Sequence, residues 1–221
     1  MPDRLLRFLE KEEYADQFIS GRIRFGLLDY YKKIEGARQD EKEGQVSFSW
    51  DLKAPTVMID SNTRQIIGHS ESNQNISCRG SSMNPYYIVS TSHPDADKQL
   101  LAKKFGYFIV RINEPQTLLE RMKVAWQQHD WALNDHVELA SAKYNKDEVL
   151  EPNEYLISPP EYSYCQKPPS FSDEQEFRYV LVCRMDTKRT LSDHLTLNIG
   201  DCRDICTIVS GKQSGVGVEL I

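Results

Sequence analysis

The sequence predicts an α+β fold with a mixed or antiparallel sheet, and three observations carry that prediction. Segments with strand character outnumber segments with helical periodicity, the two kinds do not alternate as in a doubly wound sheet, and no Pro-, Gly- or Ser-rich linker divides the chain. With 221 residues, 39% of them hydrophobic, the chain has enough apolar material to bury one large core. A single domain over residues 1–221 is expected.

Taken in order, residues 4–9 are short and apolar with interspersed arginines. In residues 10–19, Tyr14, Phe18 and Ile19 recur at helical spacing, and acidic residues occupy the first turn, where the helix dipole favours negative charge. Ser20-Gly21 stops that helix, and Arg22-Ile23-Arg24-Phe25 alternates polar and apolar as a strand does. The chain therefore opens strand, helix, strand. A short helix over residues 27–34 and a charged loop over residues 35–44 follow, then strands at 45–50, 56–60 and 64–68. Residues 69–84 are polar and aperiodic, which predicts a loop or flap, and residues 86–92 form a β-branched and aromatic strand ending in hydroxyls. Helices are expected at 95–105 and 114–128, the second with Leu118, Leu119, Met122 and Trp126 on its core face, and a buried strand at 107–112. A weaker strand near 137–144, a Pro-punctuated region at 152–169 and a strong strand at 174–184 come next, with tail strands at 195–199, 205–209 and 216–221.

Composition mainly excludes. The 33 acidic against 27 basic residues give a net charge of -6, which argues against a whole-surface grip on nucleic acid and leaves room for a local basic cleft. No apolar run reaches the ~18 residues of a membrane span, and Met1-Pro2-Asp3-Arg4 does not open a signal peptide, so a soluble cytoplasmic protein without a membrane partner is expected. Five cysteines, with no CxxC pair and no histidine at zinc spacing, read as free thiols, and no metal site is expected at Cys202 and Cys206. No GxGxxG, Walker A loop, HExxH or GxSxG is present, and Ser210-Gly211-Lys212-Gln213-Ser214-Gly215 reads as a turn between strands rather than a phosphate loop.

The segment from Phe171 to Val182 carries the most chemistry. Strand alternation puts Glu174, Glu176 and Arg178 on one face and Gln175, Phe177, Tyr179 and Leu181 on the core face. Two carboxylates about 7 Å apart on one strand can share a site, one stabilising a positive centre and the other orienting a nucleophile. The plainer alternative is a solvated face on which Arg178 neutralises Glu176. Ser90, Thr91 and Ser92 place successive hydroxyls at a strand end, where they either hold a carboxylate or phosphate or lead into a capped turn before Pro94. Arg4 and Arg7 on the first strand offer guanidinium groups that either clamp a phosphate or lie on the surface.

An arginine on the first strand, Ser-Thr-Ser ending a middle strand and a late Glu-x-Glu, in that order, resemble the Arg-Ser-Glu signature of the ADP-ribosyltransferase fold. The chain is also similar to a set of uncharacterised bacterial and phage proteins. That similarity rests on Gly21, Ile23, Arg24, Phe25, Gly26, Leu28, Tyr30 and Tyr31, then Glu35, Arg38, Asp40, Glu43 and Gly44, then Lys167, Phe171, Glu174, Glu176, Phe177 and Arg178. The first resemblance implies two facing mixed or antiparallel sheets with flanking helices, forming a cleft for NAD as substrate. It implies that Arg7 holds the diphosphate and that Ser90, with Thr91 and Ser92, positions the last glutamate and the nicotinamide ribose. Glu176 would stabilise the oxocarbenium ion, Glu174 would orient the acceptor, and Tyr30, Tyr31 or Phe25 would pack on nicotinamide. The loop with Arg38 and Asp40 has no counterpart in that signature and makes Arg38 the alternative NAD arginine.

The expected function is therefore mono-ADP-ribosyl transfer to a protein side chain or a nucleic-acid base, in a toxin, phage-defence or counter-defence setting, with a neutralising antitoxin or a target protein as partner. Two further readings stay open. One is a non-catalytic acidic protein that engages a basic partner; the other is a nucleic-acid enzyme holding Mg²⁺ through Asp40, Glu43 and Glu176.

Overall fold

A computed structural model of the chain describes residues 2–31, 45–52, 55–59, 64–71, 74–81, 85–144, 148–149, 164–165, 167–183, 190–210, 213–214 and 217–218. The expected opening is present: β1 (Leu5–Leu9), α1 (Glu12–Ile19), β2 (Arg22–Leu27) and a single helical turn α2 (Leu28–Tyr31). The chain leaves α1 through Gly21, whose φ of +84° suits glycine, and a Cβ there would stand 1.8 Å from the Gly200 carbonyl oxygen. This close approach brings the start of β2 beside a strand from the C-terminal third of the chain.

Next come β3 (Gln45–Leu52), β4 (Thr56–Ile59), β5 (Ile66–Ser70) and β6 (Gln74–Ser81). The last of these departs from the loop expected over residues 69–84. Its residues lack apolar alternation, and what makes them a strand is antiparallel pairing with β3 from Gln45↔Ser81 to Leu52↔Gln74. Backbone hydrogen bonding with a partner distant in sequence supplies what local periodicity does not. A short parallel strand, β10 (Glu148–Val149), joins the other edge of β3, while β4 and β5 pair as a hairpin.

The larger sheet contains β1, β2, β7 (Tyr86–Ser92), β8 (Phe108–Ile112), β9 (Ala132–Ser141), β11 (Glu176–Cys183), β12 (His194–Asn198) and β13 (Cys206–Ser210), and its pairings are all antiparallel. The expectation of a mixed or antiparallel α+β arrangement thus holds in its coarse form. This larger sheet is hydrogen-bonded throughout and forks at β7. The remaining pair is β14 (Gln213–Ser214) with β15 (Gly217–Val218).

Helices α3 (Lys98–Phe105) and α4 (Pro115–Gln127) follow their predicted positions with trimmed ends. Asp97 starts α3, its carboxylate accepting from the Gln99 and Leu100 N–H groups as the cap. The main core lies between the sheet and the pair α1 and α4, with Phe18, Leu118, Met122 and Trp126 packed on Ile23, Phe25, Val89, Val110 and Tyr179. A smaller core lies under α3, built from Leu6, Phe8, Leu101 and Ile109. Among the described residues, no helix is long and apolar enough to cross a membrane.

Candidate functional site

Strand β7 is the branch point of the sheet. One edge pairs with β11 along its whole length, from Glu176↔Ser92 to Val182↔Tyr86. The opposite edge is shared: β2 takes its start, at Gly26↔Ile88 and Leu27↔Tyr87, and β1 takes its end, at Leu6↔Ser92. Both strands run antiparallel to β7, so they would collide if each continued along it, and they splay apart instead. Among the described residues, 89–91 have no strand partner on that edge. Into this gap the Arg7 guanidinium donates a short hydrogen bond from Nη1 to the Ser90 carbonyl oxygen. A cavity of about 350 Å³ opens in the fork, within the range of small-molecule sites.

Register decides which side chains share the cavity wall. Ser92 lies opposite Glu176 and Ser90 opposite Arg178, so these four residues occupy one face, while Thr91, Val89, Phe177 and Tyr179 take the other. On the first face, five charged side chains among the described residues form a continuous network. Arg178 donates from Nε to Glu176 Oε1 at 2.8 Å, from Nη2 to Glu176 Oε2 at 3.2 Å, and from Nη1 to the Tyr164 carbonyl at 2.5 Å. Lys167 donates to Glu176 Oε2 at 2.6 Å and also to Glu174, which Lys104 of α3 binds through its other oxygen. Both ammonium groups lie over the Phe171 ring, at 4.7 Å for Lys104 and 4.8 Å for Lys167. The Tyr144 hydroxyl accepts the Glu176 backbone N–H at 2.7 Å.

Arg178 and Glu176 are 1% and 3% exposed, which excludes the solvated strand face considered above. Burial alone would push the Glu176 carboxyl up, but the charges and hydrogen bonds of Arg178 and Lys167 outweigh it and hold the group well below the usual carboxylate range. The carboxylate is therefore ionised at neutral pH. Burial, opposed by the Glu176 hydrogen bond, pushes the Tyr144 phenol up to about 12, so it stays neutral.

The fork brings together most of the residues singled out in the sequence. Arg7, Ser90, Thr91, Ser92, Glu174, Glu176, Tyr30 and Tyr31 all line the cavity. Two are displaced from their expected settings. Glu174 is not on the strand but ends a 3-10 turn, Pro169–Glu174, and Gln175 at φ +40° swings the chain into β11. The two carboxylates meet through Lys167 rather than through strand alternation. Thr91 uses its hydroxyl to donate to the Phe177 carbonyl at 2.9 Å, tying β7 to β11.

Phe25 is a correction. It is fully buried in the main core, because β2 alternation sends Ile23, Phe25 and Leu27 to the helix side and Arg22, Arg24 and Gly26 to the other. It is not among the residues lining the cavity, and an aromatic partner for a ligand falls to Tyr30 and Tyr31. Tyr31 lies against Gly26, where a Cβ would meet its hydroxyl at 2.6 Å. Tyr30 packs edge-on against His194 with ring centroids 4.6 Å apart. Arg38, Asp40 and Glu43 lie outside the described residues.

Sequence reasoning missed Lys104 and Tyr144, and it named Lys167 and Arg178 without the network they form. Lys104 comes from α3 and Tyr144 from the stretch after β9, and neither carries a local motif that announces the site. Arg22 and Arg24 read as polar positions of a strand with no role at the site, yet both line the cavity, as does His194. Among the described residues, five lysines and arginines line it (Arg7, Arg22, Arg24, Lys167, Arg178) against three carboxylates (Glu10, Glu174, Glu176), opposite in balance to the net charge of -6 for the whole chain. Comparison with protein-family models, curated proteins and solved structures finds no match to this chain.

Proposed function

We propose that the fork binds NAD as substrate and that the chain is a mono-ADP-ribosyltransferase acting on a macromolecular acceptor, within an ADP-ribosyltransferase-like fold. The observation that carries this reading is the convergence of Arg7, Ser90 and Glu176 on one cavity, from three strands that meet only at the branch of the sheet.

Each residue has a role that its setting suits. Arg7, held at the Ser90 carbonyl, presents a cation for a diphosphate. Tyr30 and Tyr31 offer half-buried rings on which a nicotinamide can pack. Glu176 supplies a fixed, ionised carboxylate for the positive charge that develops at the ribose when the glycosidic bond breaks. A carboxylate has about four acceptor positions. Glu176 fills three of them, one on Oε1 and two on Oε2, which leaves Oε1 able to accept from a ribose hydroxyl. Glu174, shared by Lys104 and Lys167, orients the acceptor, and Arg178 keeps Glu176 in place.

The test is nicotinamide release and transfer of label from NAD in a cell lysate, read beside a thermal melt with and without NAD. A ligand at a hundredfold excess over its Kd stabilises by about 2.7 kcal/mol, which a melt detects easily. Glu176→Gln should abolish release while leaving a folded domain. Absence of label in protein, DNA and RNA, together with no nicotinamide release, sinks the reading; an NAD-independent melt points to the non-catalytic binding protein instead.

A further inference from the structure

The outer arm of the fork reaches the cavity wall with Arg22, Arg24 and His194, to which the reaction above assigns no role. Strands β2 and β12 pair from Gly26↔His194 through Arg24↔Thr196 to Arg22↔Asn198. Their core faces are spent on Ile23, Phe25, Leu27, Leu195 and Leu197. The opposite face presents Arg22, Arg24, Thr196 and Asn198, all exposed, as two cross-strand pairs about 7 Å apart at 3.3 Å per residue. Neither Arg22 nor Arg24 forms a hydrogen bond or ion pair among the described residues, although the chain has more acidic than basic residues. At its inner end, this strip runs into Tyr30, Tyr31 and His194. Burial, with the Arg24 charge, pushes the His194 imidazole down, so at neutral pH it presents an uncharged ring against Tyr30.

We infer that this face of β2 and β12 binds single-stranded nucleic acid, with phosphates on Arg22 and Arg24 and a base brought to the His194 ring at the mouth of the fork, beside the nicotinamide on Tyr30 and Tyr31. The inference rests on the proposed transferase reading and names its acceptor class. The physical case is the combination of cations without a partner among the described residues, short hydrogen-bonding side chains beside them and a ring at one end. Cations follow a phosphate backbone and rings stack unpaired bases, which is how single strands are held without sequence readout. A duplex keeps its bases stacked inside and leaves the ring nothing to engage. An acidic peptide would use the arginines but not the aromatic end.

The experiment is fluorescence anisotropy of the full chain with a labelled single-stranded oligonucleotide of about a dozen nucleotides, as DNA and as RNA. Saturable binding is expected at about 50 mM salt for at least one of them, weaker for the duplex of the same sequence. The double change Arg22→Ser with Arg24→Ser should weaken binding at least tenfold. It should also reduce the slope of log K against log salt by about 1.4, at about 0.7 for each phosphate that is no longer neutralised. Thr196→Glu, which sets a carboxylate opposite Arg24, should weaken binding as well, and a melt of each variant establishes that it folds. No saturable binding, duplex bound as tightly as single strand, or both folded variants binding like the parent overturns the inference. The thermal shift of the unaltered protein with NAD is read separately, so its loss counts against the transferase reading and not against this face.

Discussion

Arg178 and Glu176 sit two residues apart on β11, both almost fully buried, and close on each other through both carboxylate oxygens. A guanidinium and a carboxylate removed from water together gain little net stability, but either one left alone is a buried, uncompensated charge. Arg178→Ala should therefore cost about 3–5 kcal/mol, with Glu176→Gln milder because an amide still accepts from the guanidinium. Urea unfolding of the two single variants and the double variant checks this, and additive effects would mean that the pair is not coupled.

Acid should destabilise the protein through the same carboxylate. Because the folded Glu176 carboxyl titrates below its ordinary value of 4.5, the unfolded chain binds its proton first as pH falls. The stabilisation is complete above that ordinary value and is lost as pH drops below it towards the folded value. Unfolding free energy followed from about pH 7 to about pH 3 should be flatter in Glu176→Gln than in the parent over the acid limb. Identical acid limbs would remove the paired carboxylate from the account.

Tyr144→Phe should cost about 1–3 kcal/mol, although it removes a single oxygen. That oxygen accepts the N–H of Glu176 at 2.7 Å, and its loss leaves a buried donor without a partner. Denaturant midpoints of the two proteins decide the matter, and a shift below a few tenths of a kcal/mol would show that water replaces the hydroxyl.

Gly21→Ala should destabilise by about 2–4 kcal/mol, combining the strain of a left-handed residue with backbone overlap. The added Cβ would lie against the Gly200 carbonyl, which no side-chain rotation can relieve. A thermal melt reads the effect.

Phe25→Ala and Tyr30→Ala should fail differently. Phe25 is wholly buried, so its truncation should cost about 3–5 kcal/mol of stability. Tyr30 is half-buried at the cavity, so Tyr30→Ala should lower the NAD-induced thermal shift more than the melting temperature of the free protein. Equal behaviour of the two would contradict the division between core and cleft on β2.

Local patterns make much of the fold legible. Ser20-Gly21 ends α1 as expected, Leu118, Leu119, Met122 and Trp126 all reach the core, and the Phe177, Tyr179 and Leu181 side of β11 packs inward. Each of these depends on period, capping or breaker chemistry within a few residues. β6 is not legible, because its polar residues become a strand only through β3. Phe25 is placed wrongly by sequence because alternation tells which residues share a face but not which face meets the helices.

For the site, the sequence by itself determined the chemical types present: arginine on the first strand, hydroxyls ending a middle strand and two late carboxylates. Their pattern also placed Glu176 and Arg178 on one face, since strand periodicity is local. Tertiary structure decided the rest. The fork exists because β1 and β2 compete for one edge of β7, and that competition joins strands that lie far apart in sequence. Long-range packing brought Lys104, 70 residues away, onto Glu174 beside Lys167, making a buried charged network of what the sequence left as a choice between solvated charges and a site. The charge a carboxylate carries depends on its surroundings, and the surroundings are assembled only when distant strands meet.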